Sequence, residues 1–296
     1  EALFGVKLAT QTRNQTGGVQ GYQVELVALN DFDDVEEAKL QANALIADPE
    51  ILGVVGHLSS PTTIAALPIY HAADLAVAAP WSLDFHQNLN QPDNIISLAA
   101  TINETNDHLM ETAEMMGYDQ LLSLTNADTV AVTANTTAIH LMSDGVTAGE
   151  VILALQPNNE LSLFGSVDVG SPQMTQVAQS AANGLIIVSP APHPQDIEGG
   201  TEFIAEYQQL AGFPPGPRAL LAYEATHILL DAIDQAMLIS IDKPTRKQVS
   251  QLIKTIQRDS LIGPIKFDEK GYRIEAPTWI YQIEGETYPG KLLNQR

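Results

Sequence analysis

The chain has 296 residues, 45% of them apolar, enough to bury one large core or two medium ones, with two lobes the expected division. Lys and Arg number 14 against 36 Asp and Glu, a formal net charge of −22 whose field repels nucleic acid and anionic membrane surfaces. Cysteine is absent, which excludes disulfides, thiolate metal sites and a cysteine nucleophile; no apolar run approaches the length of a membrane span and no signal peptide stands at Glu1, so a soluble, mature or trimmed chain is expected.

Residues 1–14 read as a helix with Leu3, Val6 and Ala9 inward, ended by the turn Thr16-Gly17-Gly18. Residues 22–29 then set Val24, Leu26 and Leu29 among polar neighbours, as a strand does. The acidic run Asn30-Asp31-Phe32-Asp33-Asp34 lacks the glycine and bidentate glutamate of a calcium loop, so helix capping at a polar strand end is favoured over a metal. Val35, Ala38, Ala42 and Leu45 mark one face of a helix over 35–48, which Pro49 stops. Residues 51–55 are wholly apolar, as in a strand buried on both faces.

The next stretch, Gly56-His57-Leu58-Ser59-Ser60-Pro61, spells a tight turn and a helix N-terminus with Pro61 at the first helical position. The unpaired amides and positive dipole end of such a helix suit a carboxylate or phosphate, with Ser59 or Ser60 as a further donor. The plain alternative is that Ser60 only caps the helix. Helix 62–73, strand 75–79, loop 80–93 and strand 95–98 continue the alternation of a parallel sheet covered on both sides. Ligands of such sheets bind beyond the carboxyl ends of the strands, so loops 56–61 and 80–84 are expected to be neighbours. Trp81 reads there as a stacking or lid residue, or as plain packing.

Farther on, 103–117 and 147–155 read as helices, and 121–124, 138–142, 161–164 and 185–188 as strands, with Asp144 and Asp168 in loops at carboxyl ends. Residues 126–137 fit no element. Pro190, Pro192 and Pro194 stiffen a crossing between lobes, helices follow over 201–212, 218–236 and 245–257, and 278–283 is a last strand.

Several of these stretches together resemble one family. Gly18-Val19-Gln20-Gly21-Tyr22, the acidic strand end at 31–34, Val54-Val55-Gly56-His57-Leu58-Ser59-Ser60, Ala222-Tyr223-Glu224-Ala225, Gly263-Pro264 and Phe267-Asp268-Glu269-Lys270-Gly271 resemble bacterial leucine/isoleucine/valine-binding proteins, the amino-acid class of type I periplasmic binding proteins that feed ABC importers. The likeness spans nearly the whole chain. It implies an α/β, two-lobed, type I periplasmic-binding-protein-like fold, each lobe a parallel sheet flanked by helices and joined by three crossovers, closing on a small ligand. Lobe 1 is placed at 1–100 with 192–262 and lobe 2 at 101–191 with 263–296, with crossings near 99–101, 188–192 and 261–264. A strand that the family has ahead of the first helix is missing before residue 1, and a helix–strand–helix piece is missing near 126–137.

In the family the Gly-His-x-x-Ser turn binds the ligand carboxylate, and Ser60 stands at the matching serine with Ser59 before it and Pro61 after it. A second loop supplies a carbonyl and a hydroxyl; here it reads Trp81-Ser82-Leu83, with Leu83 at the hydroxyl position, so either Ser82 takes over or the head group is held differently, and Trp81 narrows the crevice. Asp144 falls where the family has an aromatic, and Asp168 lies one position beyond the acidic partner of the ligand ammonium, whose direct match is Val167. Two carboxylates there suit an amine-bearing ligand, or either caps the following helix.

The implied function is an extracytoplasmic solute-binding protein, periplasmic or lipid-anchored, that captures a small carboxylate-bearing solute such as an amino acid and works as a monomer with the membrane permease and ATPase of an ABC importer. No cofactor, metal or nucleic acid is implied. A ligand-sensing extracytoplasmic domain of a signalling receptor is the alternative. An enzyme fits less well: there is no Gly-x-Ser-x-Gly elbow or phosphate-binding Gly/Lys loop, and the seven histidines, His57, His71 and His193 among them, are not at zinc-ligand spacing.

Overall fold

The computed structural model describes residues 1–81, 84, 93–126, 132–133, 135–155, 161–240 and 243–296. They form two compact units: Glu1–Thr101 with His193–Ala276, and Ile102–Pro192 with Pro277–Arg296.

In the first unit a parallel sheet runs in the order β1 (Gly53–Val55), β2 (Ala76–Ala79), β3 (Ile95–Ser97), with Val54 opposite Val77 and Val77 opposite Ile95. Helices α2 (Val35–Ala47) and α3 (Ser60–Ala72) pack together on it, and Ala42, Ala66, Leu67, Tyr70, Leu75 and Val77 form their shared core. Burying one leucine such as Leu67 completely is worth roughly 1.5–3 kcal/mol. The small side chains of β2, Ala-Val-Ala-Ala, are all buried and also carry α8 (Pro217–Ile239) and α9 (Arg246–Leu252). Helix α1 (Ala2–Gln15) lies against α8 so closely that a Cβ at Gly5 would stand 2.1 Å from the Ala219 carbonyl oxygen. Helix α7 (Gly200–Ala211) packs beside α1.

The same packing is pinned by charge. Arg13 of α1 reaches Asp231 of α8 at 3.1 Å, Arg258 reaches Asp231 at 2.9 Å and Glu224 at 3.5 Å, and the Leu261 amide donates to Glu224 at 3.0 Å. Glu224 is 1% exposed, and burial pushes its carboxyl pKa up even with Arg258 and Arg273 beside it.

The second unit holds a six-stranded sheet in the order β11-β10-β7-β6-β5-β4, from β4 (Leu122–Leu124), β5 (Ala138–Leu141), β6 (Ser162–Gly165), β7 (Ile186–Ser189), β10 (Trp279–Glu284) and β11 (Thr287–Gln295). The first four are parallel, and β10 and β11 add antiparallel. Helices α5 (Gly145–Leu155) and α6 (Pro172–Ala178) cover a core of Ile139, Leu141, Ile152, Met174, Ile187 and Trp279. On α4 (Ile102–Met115), His108 Nδ1 accepts from the Thr278 hydroxyl and its Nε2–H donates to Asn294, each at 2.6 Å, which ties the helix to the antiparallel end of the sheet.

Several expectations change. Residues 22–29 form no strand: apart from an isolated bridge between Tyr22 and Val19 they have no ladder partner among the described residues, and Tyr22, Val27 and Leu29 are exposed. Strand β1 is half-buried rather than covered on both faces, and among the described residues it pairs only with β2. Leu3 faces outward, and Ala2, Gly5, Val6 and Ala9 line the inner face of α1. Residues 263–276, expected in the second lobe, belong to the first unit, and the chain makes its third passage after Ala276. There β8 (Arg258–Ser260) and β9 (Gly263–Ile265) form an antiparallel hairpin, the Ser97 amide donates to the Gly271 carbonyl at 2.8 Å, and the Arg273 amide donates to the Ser97 carbonyl at 3.1 Å, so this segment continues the hydrogen bonding of β3. Of the 126–137 stretch, residues 127–131 and 134 lie outside the described residues.

Burial lowers the pKa of His193 to about 3 and, with the charges of Arg258 and Arg13, that of His227 to about 4, against 6.5 for an ordinary histidine. Below pH 6.5 the unfolded chain therefore binds protons that the folded chain refuses, and stability falls from pH 6.5 toward pH 4. Urea melts are expected to lose stability over this window, and H227Q is expected to flatten the slope by about 1 kcal/mol per pH unit; an unchanged slope would refute the assignment.

Candidate functional site

The carboxyl end of β1 carries the turn that the sequence singled out. The Gly56 amide donates to the Ala78 carbonyl at 3.0 Å, extending the ladder one step past β1. His57 then turns inward, 9% exposed, with Nδ1 at 2.6 Å from Asp31 and Nε2 at 3.1 Å from the Tyr70 hydroxyl. Burial and the Asp31 charge raise the Tyr70 pKa, so the phenol keeps its proton and donates to Nε2, while Nδ1–H donates to Asp31. The chain that follows residues 22–29, the turn after β1 and helix α3 are thereby locked together.

Helix α3 starts one residue earlier than expected. Ser59, extended at φ −137° and ψ 153°, is the N-cap, its hydroxyl 3.5 Å from the Thr62 amide and 2.8 Å from the Thr62 hydroxyl; Ser60 is the first helical residue and Pro61 the second. Capping thus falls to Ser59, and Ser60 is released for another bond: its Oγ accepts from the Asp84 amide at 3.3 Å. Loops 56–61 and 80–84 are therefore neighbours at the carboxyl ends of β1 and β2. The Tyr272 hydroxyl donates to the Asp84 carboxylate at 3.3 Å and braces the second loop from the chain after β9.

Trp81 is 7% exposed, and the Arg218 guanidinium lies 4.9 Å over its ring, a contact worth roughly 0.5–1 kcal/mol. The indole Nε1–H has no partner among the described residues. Ser82 and Leu83 lie outside the described residues. In the second unit, Asp144 caps α5: its carboxylate accepts from the Val146 and Thr147 amides at 2.9 and 3.1 Å and from the Thr147 hydroxyl at 2.6 Å. Those bonds hold its pKa below the usual range. Asp168 is exposed in a turn at the end of β6, where the Val169 amide donates to the Ser166 carbonyl at 3.0 Å. Both loops follow adjacent parallel strands, and the start of α5 lies against the second one, since a Cβ at Gly145 would meet Ser171 Oγ.

Sequence reasoning missed two participants. Arg218 sits in the first turn of α8, where a cation opposes the helix dipole and gains little locally, and it is one of only 14 basic residues in the chain. Asp31 was read only with the capping run, and nothing in the local pattern pointed to its bond with His57, 26 residues away in sequence.

The sequence matches the family described as periplasmic binding protein, over residues 2–148 and 124–287. It is 22% identical over 313 residues to the leucine-specific-binding protein of Salmonella typhimurium, covering 90% of this chain and 81% of that one. A leucine-binding protein from Thermotoga maritima superposes with a TM-score of 0.84 at 18% identity, covering 99% of this chain and 93% of that chain. A solute-binding protein of an ABC transporter from R. palustris, in complex with benzoate, gives 0.80 at 15% identity, covering 99% and 89%.

The cap at Asp144 is separable from the exposed carboxylate at Asp168. Asp144→Ala is expected to cost about 1 kcal/mol in urea unfolding, whereas Asp168→Ala should stay within about 0.5 kcal/mol; equal losses would refute the division of roles.

Proposed function

The chain belongs to the periplasmic binding protein family, and from that premise we propose that it captures a small carboxylate-bearing solute, an amino acid or a relative of one, outside the cytoplasm for the permease and ATPase of an ABC importer. It is a binding protein and not an enzyme, as its family and the solute-named relatives indicate. The observation that carries the reading is the bond between Ser60 Oγ and the Asp84 amide, which gathers a helix N-terminus and a second loop at the carboxyl edge of one parallel sheet. Leucine and benzoate, named for two similar proteins, have in common a carboxylate on an apolar body.

In this reading the Ser60 hydroxyl and the positive end of α3 receive the carboxylate, with Ser59 and Pro61 shaping the turn, Ser82 supplying a polar group of the second loop, and the Trp81 ring stacking on the apolar body. Arg218 offsets the repulsion that a chain of charge −22 exerts on an anion. In the second unit Asp168 is the exposed carboxylate suited to an ammonium group, and Asp144 keeps the start of α5 in place.

Isothermal titration with a panel of amino acids and simple carboxylates is expected to give one-to-one binding. Ser60→Ala should weaken it by about 1–3 kcal/mol, and Asp168→Asn should weaken amine-bearing solutes selectively. Unchanged affinity in Ser60→Ala would remove that residue from the site, and turnover of a bound solute seen by mass spectrometry would overturn the assignment.

A further inference from the structure

Cations are scarce in this chain, and they are not evenly spread. Residues 243–258 hold five of the 14 and no acid. Two of them work inside unit 1: Arg246 donates to the carbonyls of Ile46 and Ile51 at 3.1 and 2.8 Å, and Arg258 meets Asp231 and Glu224. The three lysines stay in contact with water. Lys243 is exposed and pairs with Glu50, and Lys247 is exposed with no ion pair among the described residues. Lys254, half-buried, donates to the Glu269 carbonyl at 2.9 Å, which holds its ammonium in place without neutralising it. Lys247, Gln251 and Lys254 follow at spacings of four and three residues, so α9 and the 3-10 turn after it carry them along one side. The end of α8 joins this row, because the Ser240 hydroxyl donates to the Gln248 side chain at 3.2 Å. Leu238 and Ile239, 67% and 66% exposed, therefore stand beside the start of α9.

We propose that this corner of unit 1 rests on an anionic lipid surface, with Leu238 and Ile239 entering the headgroup layer and Lys243, Lys247 and Lys254 meeting lipid phosphates. Aliphatic side chains at an exposed helix end leave water there, while ammonium groups on flexible stems stay at the level of the phosphates. A net charge of −22 opposes such contact only where the whole charge acts. At physiological ionic strength the Debye length is about 8 Å, so a membrane responds chiefly to the side chains that face it. Glu50 and Asp74 border the row along a shallow cleft, where Lys243 and Arg246 offset them, and the charges of Lys247 and Lys254 are left in excess. A second copy is the poorer occupant, because a two-fold interface would set lysine against lysine. The cleft is also lined by Leu52 and Ala73, which precede β1 and β2, so the row lies toward the amino-terminal ends of these strands and leaves the solute corner at their carboxyl ends free.

Flotation with lipid vesicles tests it on the 296-residue chain. With vesicles of phosphatidylcholine and phosphatidylglycerol in equal parts, at physiological salt, the chain is expected to float with the lipid; with phosphatidylcholine alone it should stay in solution. K247E/K254E should lower the partition coefficient by about tenfold or more, and L238S/I239S by about tenfold, each with the far-ultraviolet circular dichroism and the melting temperature unchanged. K247Q/K254Q, which removes the charges without reversing them, should fall between the parent and K247E/K254E. The proposal is overturned by a chain that does not float with the mixed vesicles, by equal flotation on phosphatidylcholine alone, or by variants that float like the parent. Sedimentation velocity without lipid supplies the other arm: a dimer that K247E/K254E separates overturns it in favour of a second copy. No solute enters the experiment, so its outcome is separate from the titrations of the binding site.

Discussion

Parallel pairing of β2 between β1 and β3 is the constraint on which the first unit depends. Val77 sits opposite both Val54 and Ile95, so the three strands end at one level and their connecting loops leave from one edge. A parallel ladder forces its loops to cross back over a face, and helices must therefore start just beyond that edge. The N-terminus of α3 lies there for this reason, with its partial positive charge, and the loop after β2 lies beside it. Asp31, His57 and Tyr70 reinforce the placement with a short chain of hydrogen bonds from the loop ahead of α2 to the body of α3.

A second set of forces decides which segments belong to the unit at all. Glu224 is an acid in an apolar helix, and its burial is tolerable because Arg258 and the Leu261 amide meet it there. Arg273, 6% exposed, donates to the carbonyls of Ile262 and Pro264 at 2.7 and 3.1 Å. These charges come from segments far apart in sequence, and each finds its partner only once α1, α8 and the β8–β9 hairpin have assembled. Removing one partner would leave a buried charge unmatched, which costs more than the pair itself contributes.

A chain of net charge −22 is a poor place for an anion unless local groups outweigh the field. The turn at Ser59, Ser60 and Pro61 answers this with backbone geometry, and Arg218 over Trp81 adds a cation held by an aromatic face. Both devices are short in range. They change the potential at that corner and leave the rest of the chain strongly acidic.

Local pattern made much of this readable in advance. The alternation of strands and helices, the Ser-Pro start of α3 and the capping by Asp34 depend on contacts within a few residues, and all of these stand in the structure. Local pattern also misled where partners were at issue: residues 22–29 have the side-chain alternation of a strand, yet a strand exists only when another backbone lies beside it. Helix α6, announced by Ser171-Pro172 just as α3 is by Ser60-Pro61, and strand β11 went unread. Sequence by itself determined the fold class, the acidity and the helix start after Ser59, because propensity, charge and turn chemistry act over short spans. Only tertiary structure decided that Ser59 caps while Ser60 reaches Asp84, that Arg218 covers Trp81, and that residues 263–276 join the first unit, because each of these is settled by which distant hydrogen-bond partner or ring a folded chain brings within reach.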